Sequence, residues 1–212
     1  MVKHLIIIGC GGFAREVYWH AQDSLGYNID WDLKGYLDGD IKLDADDYEK
    51  LELPVLGDID SYDPEPDDVF ICAITVPYAR KRLVGKMMAK GAKFFTLIHR
   101  TAIVHGNVQL GKGVIVTPRV SIHDHAQVGD FTIINICTGV GHDACIGNYV
   151  DIMGGASITG HARIDDEAVI ADGACIVPKA HVEQGAYVGT RSLVLKRVKA
   201  GTKVFGIPAM PI

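Results

Sequence analysis

One pattern constrains this chain more than any other: residue types that return every six positions through its second half. Stepping by six from Ala102 gives eighteen residues, ending at Val204, and every one is Ala, Val, Thr or Ser. Stepping by six from Val104 gives sixteen residues, ending at Val194, and every one is Val, Ile or Leu. Small residues often follow the second series, as at Gly111, Gly129, Gly141, Gly147 and Gly189. An α-helix cannot hold a residue type at every sixth place, because six residues turn it by about 600°. A simple strand would need every second residue apolar. Short strands joined by tight corners satisfy both series. Each six-residue unit then forms one side of a three-sided coil, with the aliphatic residue inside and the small residue at the corner. Three units make a coil of 18 residues, so residues 102–206 supply about six coils. Stacking them buries a continuous column and pairs backbone groups from coil to coil.

The first 97 residues carry a different signal. Leu5-Ile6-Ile7-Ile8 reads as a buried strand, followed by Gly9-Cys10-Gly11-Gly12-Phe13-Ala14 and a helical stretch over 13–23. Gly9, Gly11 and Ala14 satisfy G-x-G-x-x-A, with Gly12 beside them. Glycines let backbone N–H groups approach a phosphate, and a helix N-terminus favours its charge. A second strand over 34–38 ends in Asp38, placed to accept hydrogen bonds from a ribose or base. A third strand spans 69–74, a basic helix beginning at Arg80 spans 80–90, and a last strand runs over 94–97. Gly9, Gly11, Gly12, Asp38 and Arg80 are therefore the expected substrate-binding residues of a nucleotide-binding α/β domain over 1–97, ahead of a β-helix over 98–212. Some 97 residues hold only one βαβαβ half. That favours a mononucleotide or nucleotide-sugar over NAD.

The bulk properties exclude several classes of partner. The 212 residues are 48% apolar and 22% charged, with a formal net charge of −5. That charge argues against nucleic acid as the main partner. No apolar run reaches the roughly 20 residues of a membrane helix, and the early run is too short for a signal peptide. Five scattered cysteines without CxxC pairing suit reduced thiols. The expected location is cytoplasmic, without membrane insertion.

The six-residue period resembles that of the hexapeptide-repeat acyltransferases, which are left-handed parallel β-helices. An opening I-I-G-x-G-G, a strand ending in Leu37-Asp38 and then the repeat is similar, over essentially the whole chain, to the sialic-acid O-acetyltransferase/nucleotide-amino-sugar N-acetyltransferase family. The resemblance implies acetyl-CoA as cosubstrate, a homotrimer with sites between neighbouring prisms, and a nucleotide-linked amino-sugar acceptor of the UDP-4-amino-deoxysugar type. It implies that the segment from Val140-Gly141-His142-Asp143 to Gly147 is catalytic, with His142 as general base, Asp143 as its partner and Asn135 near the reacting groups. Gly160 matches a glycine near the pantetheine arm, and Gly206 and Pro208 lie in a G-x-P-A ending that helps form the CoA site. Asp151, nine residues after His142, stands where many relatives have a second histidine near acetyl-CoA. Thr75-Val76-Pro77 stands where relatives often have a Gly-Asn turn.

Two further readings follow from the same residues. Sugar O-acetylation, of the sialic-acid type, uses the same base. The histidines also raise a trimeric zinc hydratase of carbonic-anhydrase type: His105 and His123 are 18 apart, as are His125, Asp143 and His161, so each set stacks from coil to coil. The acetyltransferase reading assigns no metal. A nucleotide-sensing scaffold without catalysis and an NAD-dependent enzyme complete the alternatives.

Overall fold

The computed structural model describes residues 2–39 and 45–212. Contacts divide the chain into two compact units, 1–100 and 101–212, a few residues beyond the boundary expected from sequence.

The first unit is a five-stranded parallel sheet flanked by helices. In chain order its elements are β1 (Lys3–Ile8), α1 (Gly12–Gln22), β2 (Trp31–Asp38), α2 (Ala45–Tyr48), β3 (Val55–Asp58), β4 (Asp68–Cys72), α3 (Pro77–Ala89) and β5 (Lys93–Phe94). The sheet order is β3-β2-β1-β4-β5. Leu5, Ile6, Ile7 and Ile8 are wholly buried, as central parallel strands require. The chain leaves β1 towards β2 on one side and returns to β4 on the other. The order therefore reverses between β1 and β4, and a crevice opens there at the strands' C-terminal ends. β2 begins at Trp31 rather than Lys34. The edge strand β3 and the short α2 have no counterpart in the sequence reading. Both lie in a polar stretch where no periodic pattern spans more than a few residues.

The second unit is a three-walled parallel β-helix. Its strands are two-residue rungs six positions apart, such as Gly139–Val140, Cys145–Ile146 and Asp151–Ile152. Rungs pair in register with the one 18 residues on, as Ser121–Ile122 does with Gly139–Val140 and that in turn with Ser157–Ile158, until the last coil, where His181 pairs with Arg197 and Tyr187 with Lys203. The second residue of each rung points inward, so Ile122, Val140, Ile158 and Ile176 form a buried column. Ala126, Ala144 and Ala162 fill the corners with no exposure.

The corners hold a third series with the same period. Arg119, His125, Phe131, Cys137, Asp143, Tyr149, His161, Glu167, Lys179 and Arg191 all have φ between 54° and 64°, in the left-handed region. That region costs a non-glycine residue roughly 1–2 kcal/mol. Bonds between coils offset it: Asp143 N–H donates to the Asp124 carbonyl and His161 N–H to the His142 carbonyl, both at 3.0 Å. The side chains at these corners are exposed or half-buried except Phe131, which is buried against Tyr149.

Candidate active site

Within the first unit, a cavity of about 180 Å³ sits in the crevice between β1 and β4. Its lining includes Gly9, Gly11, Gly12 and Asp38, all expected from sequence, and Thr75, Val76 and Arg82. Gly9 is needed on two counts: its φ is +109°, and a Cβ there would stand 2.8 Å from Cδ1 of Ile74. Gly11 caps α1 with extended backbone and no side-chain bond to the helix's first N–H groups, and the first turn holds no acidic residue. A bare, positive helix end thus faces the cavity, which suits a phosphate. Asp38 accepts a short hydrogen bond from the Tyr48 hydroxyl. The Cys10 thiol, beside it, is pushed up to about 12 by burial and by the charge of Asp38, so it does not act as a thiolate.

Arg80 requires a correction. It is buried, and its guanidinium donates to the carbonyls of Ile74 and Thr75 rather than facing the cavity. It belongs to the apolar stripe of α3 with Val84 and Met87, which are also buried. It shapes the loop after β4, while Arg82, two residues on, lines the cavity.

Within the second unit, His142 and Asp143 occupy one corner. Nδ1 of His142 lies 2.7 Å from Oδ2 of Asp143. The left-handed φ of Asp143, 57°, turns its carboxylate beside the preceding ring. The His142 side chain is 61% exposed, so its other nitrogen is open to a reactant. The His142 bond holds the Asp143 carboxyl below the usual range, helped by the nearby charges of His161, His142 and His125. A carboxylate on Nδ1 favours the neutral tautomer whose Nε2 carries no proton and can accept one. Gly160 lies against this ring: a Cβ there would be 2.7 Å from Nε2 and 2.9 Å from Cε1. Asn135 does not join the pair within one prism. It stands at the preceding corner of the same coil, and its Oδ1 accepts from the Ile136 N–H at 2.9 Å.

Both units have counterparts among known proteins. Residues 4–87 match the PglD N-terminal domain. A stretch of 87 residues is 34% identical to the GDP-perosamine N-acetyltransferase of Escherichia coli O157:H7, covering 41% of this chain and 39% of that relative's length. The whole chain superposes on PerB from Caulobacter crescentus, solved with CoA and GDP-perosamine (TM-score 0.88, 25% identity, 100% of this chain and 98% of that one). It matches equally the acetyltransferase domain of PglB from Neisseria gonorrhoeae FA1090, solved with acetyl coenzyme A (TM-score 0.87, 26% identity, 100% of both chains). The chain is similar in sequence and fold to these acetyltransferases.

Three more of the positions expected from sequence lie in the second unit. Gly206 has φ +106°, its N–H donates to Ser192 Oγ, and its carbonyl accepts from Leu193 N–H. The Ile207–Pro208 peptide is cis. With Ala209 N–H bonded to the Leu193 carbonyl, the G-x-P-A segment folds back and closes the last coil. Pro208 lines a cavity of about 440 Å³ there, with Lys196, Arg197 and Lys199. Asp151 requires the second correction. It is only 2% exposed, on a wall between Ile133 and Val169, so its carboxylate is not offered to a cofactor.

One ligand atom each from His142, Asp143 and His161 lies within 4.8 Å of the others, the one such trio among the described residues. Within this trio one oxygen of Asp143 is hydrogen-bonded to Nδ1 of His142 at 2.7 Å. His105 and His123 do stack, at 5.1 Å between ring centroids, one coil away from Asp143. The sequence reading overlooked Arg82 as a lining residue, noted Thr75 and Val76 only as a turn, and set His161 in line with Asp143 without linking it to His142. No helix of the described residues is long and apolar enough to cross a membrane.

Proposed function

We propose that this chain transfers the acetyl group of acetyl-CoA directly to the amine of a nucleotide-linked amino-sugar. One observation carries the reading: an exposed His142–Asp143 pair on the prism of a chain whose other unit holds a phosphate-type crevice. The crevice takes the nucleotide, with its diphosphate at the N-terminus of α1 and Asp38 toward the ribose or base. The acceptor amine reaches Nε2 of His142 and attacks the thioester carbonyl carbon. His142 takes the amine's proton as the C–N bond forms, and Asp143 stabilises the imidazolium. The backbone around Gly160 faces the developing oxyanion. The C–S bond then breaks, and the thiolate leaves as CoA–SH with the proton from His142. No cysteine carries the acyl group. The basic residues beside Pro208 suit the phosphates of CoA.

The chain acts as a homotrimer in this proposal. His142 stands exposed on its own prism, and a neighbour's corner with its Asn135 supplies the other wall. PerB was solved with GDP-perosamine, so a GDP-linked sugar is the first acceptor to test and the UDP-linked form the second. The test is CoA thiol release from acetyl-CoA with each. Turnover is expected with one of them, and His142→Ala is expected to lower kcat by about 10²–10⁴-fold. Thiol release from neither, or full activity in the variant, overturns the proposal.

A further inference from the structure

Arg15 puts a cation where the helix itself disfavours one. It stands at the N-terminal end of α1, which already carries positive charge and whose first turn holds no acidic residue. Its guanidinium reaches back over the glycine turn, with Nη2 3.9 Å from where a Cβ on Gly12 would be. Nη1 donates to Oδ1 of Asp47, 32 residues on, at 3.1 Å. Asp47 belongs to α2, whose next residue, Tyr48, gives its hydroxyl to Asp38 at 2.5 Å. Gly12 and Asp38 both line the cavity, so each member of the Arg15–Asp47 pair adjoins its wall. Asp47 also has a second cation, with Lys50 Nζ at 3.3 Å.

We infer that Arg15 is a binding residue for the diphosphate of the nucleotide, and that the Asp47 carboxylate holds its place until the ligand arrives. The inference rests on the reading of the crevice as the nucleotide site. A guanidinium binds a phosphate through two parallel N–H bonds, whereas the bond to Asp47 runs through Nη1. Nη2 is the nitrogen on the side of the glycine turn, where a diphosphate on the α1 N-terminus would lie. The two side chains are 30% and 33% exposed, so the exchange opens no core. Asp47 is left with Lys50, and its charge stays paired. A cation at a helix N-terminus is then no misfit, because it shares the anion that the helix end attracts.

Calorimetry with GDP and with UDP on the whole protein tests this, using the tighter of the two throughout. Arg15→Gln is expected to weaken binding about tenfold. Asp47→Asn is expected to tighten it by about two- to fivefold, because Arg15 no longer has to leave a partner. Loss of any negative charge near a phosphate also favours binding, so the double variant decides between the two causes. The gain from Asp47→Asn is expected to vanish in the Arg15→Gln background. Binding within about twofold of the parent in Arg15→Gln overturns the inference, as does a gain of equal size in both backgrounds. Unchanged or weaker binding in Asp47→Asn marks the pair as merely structural and overturns it too, even if Arg15→Gln does not fold. In each of these results the parent binds nucleotide, so the reading of the crevice stands. A parent that binds neither GDP nor UDP ends that reading and the inference with it.

Discussion

Gly160 and His142 fit together because one of them lacks a side chain. The backbone at Gly160 is in an ordinary region, so alanine there adds no φ strain, yet its methyl would sit 2.7 Å from Nε2 of His142. The ring is exposed and can swing away. Gly160→Ala is thus expected to keep the melting temperature within a few degrees while lowering kcat at least tenfold, because the base is displaced. Unaltered turnover would mean that the ring does not work from the position seen here. Gly9 differs in kind. Its φ of +109° and the 2.8 Å approach to Ile74 make Gly9→Ala a strain on the turn after β1, expected to cost about 1–2 kcal/mol and to weaken nucleotide binding, measured by calorimetry with GDP.

At the scale of elements, the first unit depends on a polar cluster under β4. Asp68 is buried and accepts from Lys34 Nζ at 2.8 Å, the Tyr62 hydroxyl at 2.7 Å and Glu65 N–H at 2.9 Å. Burial alone would raise its carboxyl, but these bonds outweigh it and hold it below the usual value. A depressed folded-state value contributes stability above about pH 4, lost as pH falls through the folded value. Asp68→Asn should destabilise by about 2–3 kcal/mol at pH 7, since Glu65 still faces Lys34, and the gap to the parent should narrow towards pH 3. Denaturant unfolding at both pH values checks it.

This unit also marks where the sequence stopped being legible. β1, its glycine turn and α1 were readable because a buried strand and a helix announce themselves by pattern. β3 was not, being four residues at a sheet edge with half-exposed sides. Arg80 and Arg82 differ by about 200° around α3, so only one could face the cavity. The spacing to Val84 and Met87 already put Arg80 on the buried stripe, and that spacing could have decided it. The β-helix was legible because each inward column has no other way to be buried. Its corner series was not, since the left-handed slots accept many side chains and show no residue preference.

At the scale of the whole molecule, the repeat puts the two polar groups of the proposed site at different corners. His142 and Asn135 are separated by the Gly139–Val140 rung, so no single prism brings them together. If the chain is a trimer, each site uses His142 from one subunit and Asn135 from the next, and sedimentation should give three times the 22.9 kDa chain. Subunit mixing tests the composition of the site itself. His142→Ala and Asn135→Ala homotrimers each lack one group at all three sites. In trimers refolded or co-expressed from equal amounts of both, a site is whole only where an Asn135→Ala chain gives its histidine and a His142→Ala chain gives its asparagine. Random assembly makes that arrangement at about one interface in four, so activity should return to about a quarter of the parent's. Cyclic order matters here: a site formed within one subunit would show no recovery beyond the average of the two variants. That result would place both groups of a site in one subunit and overturn the shared site.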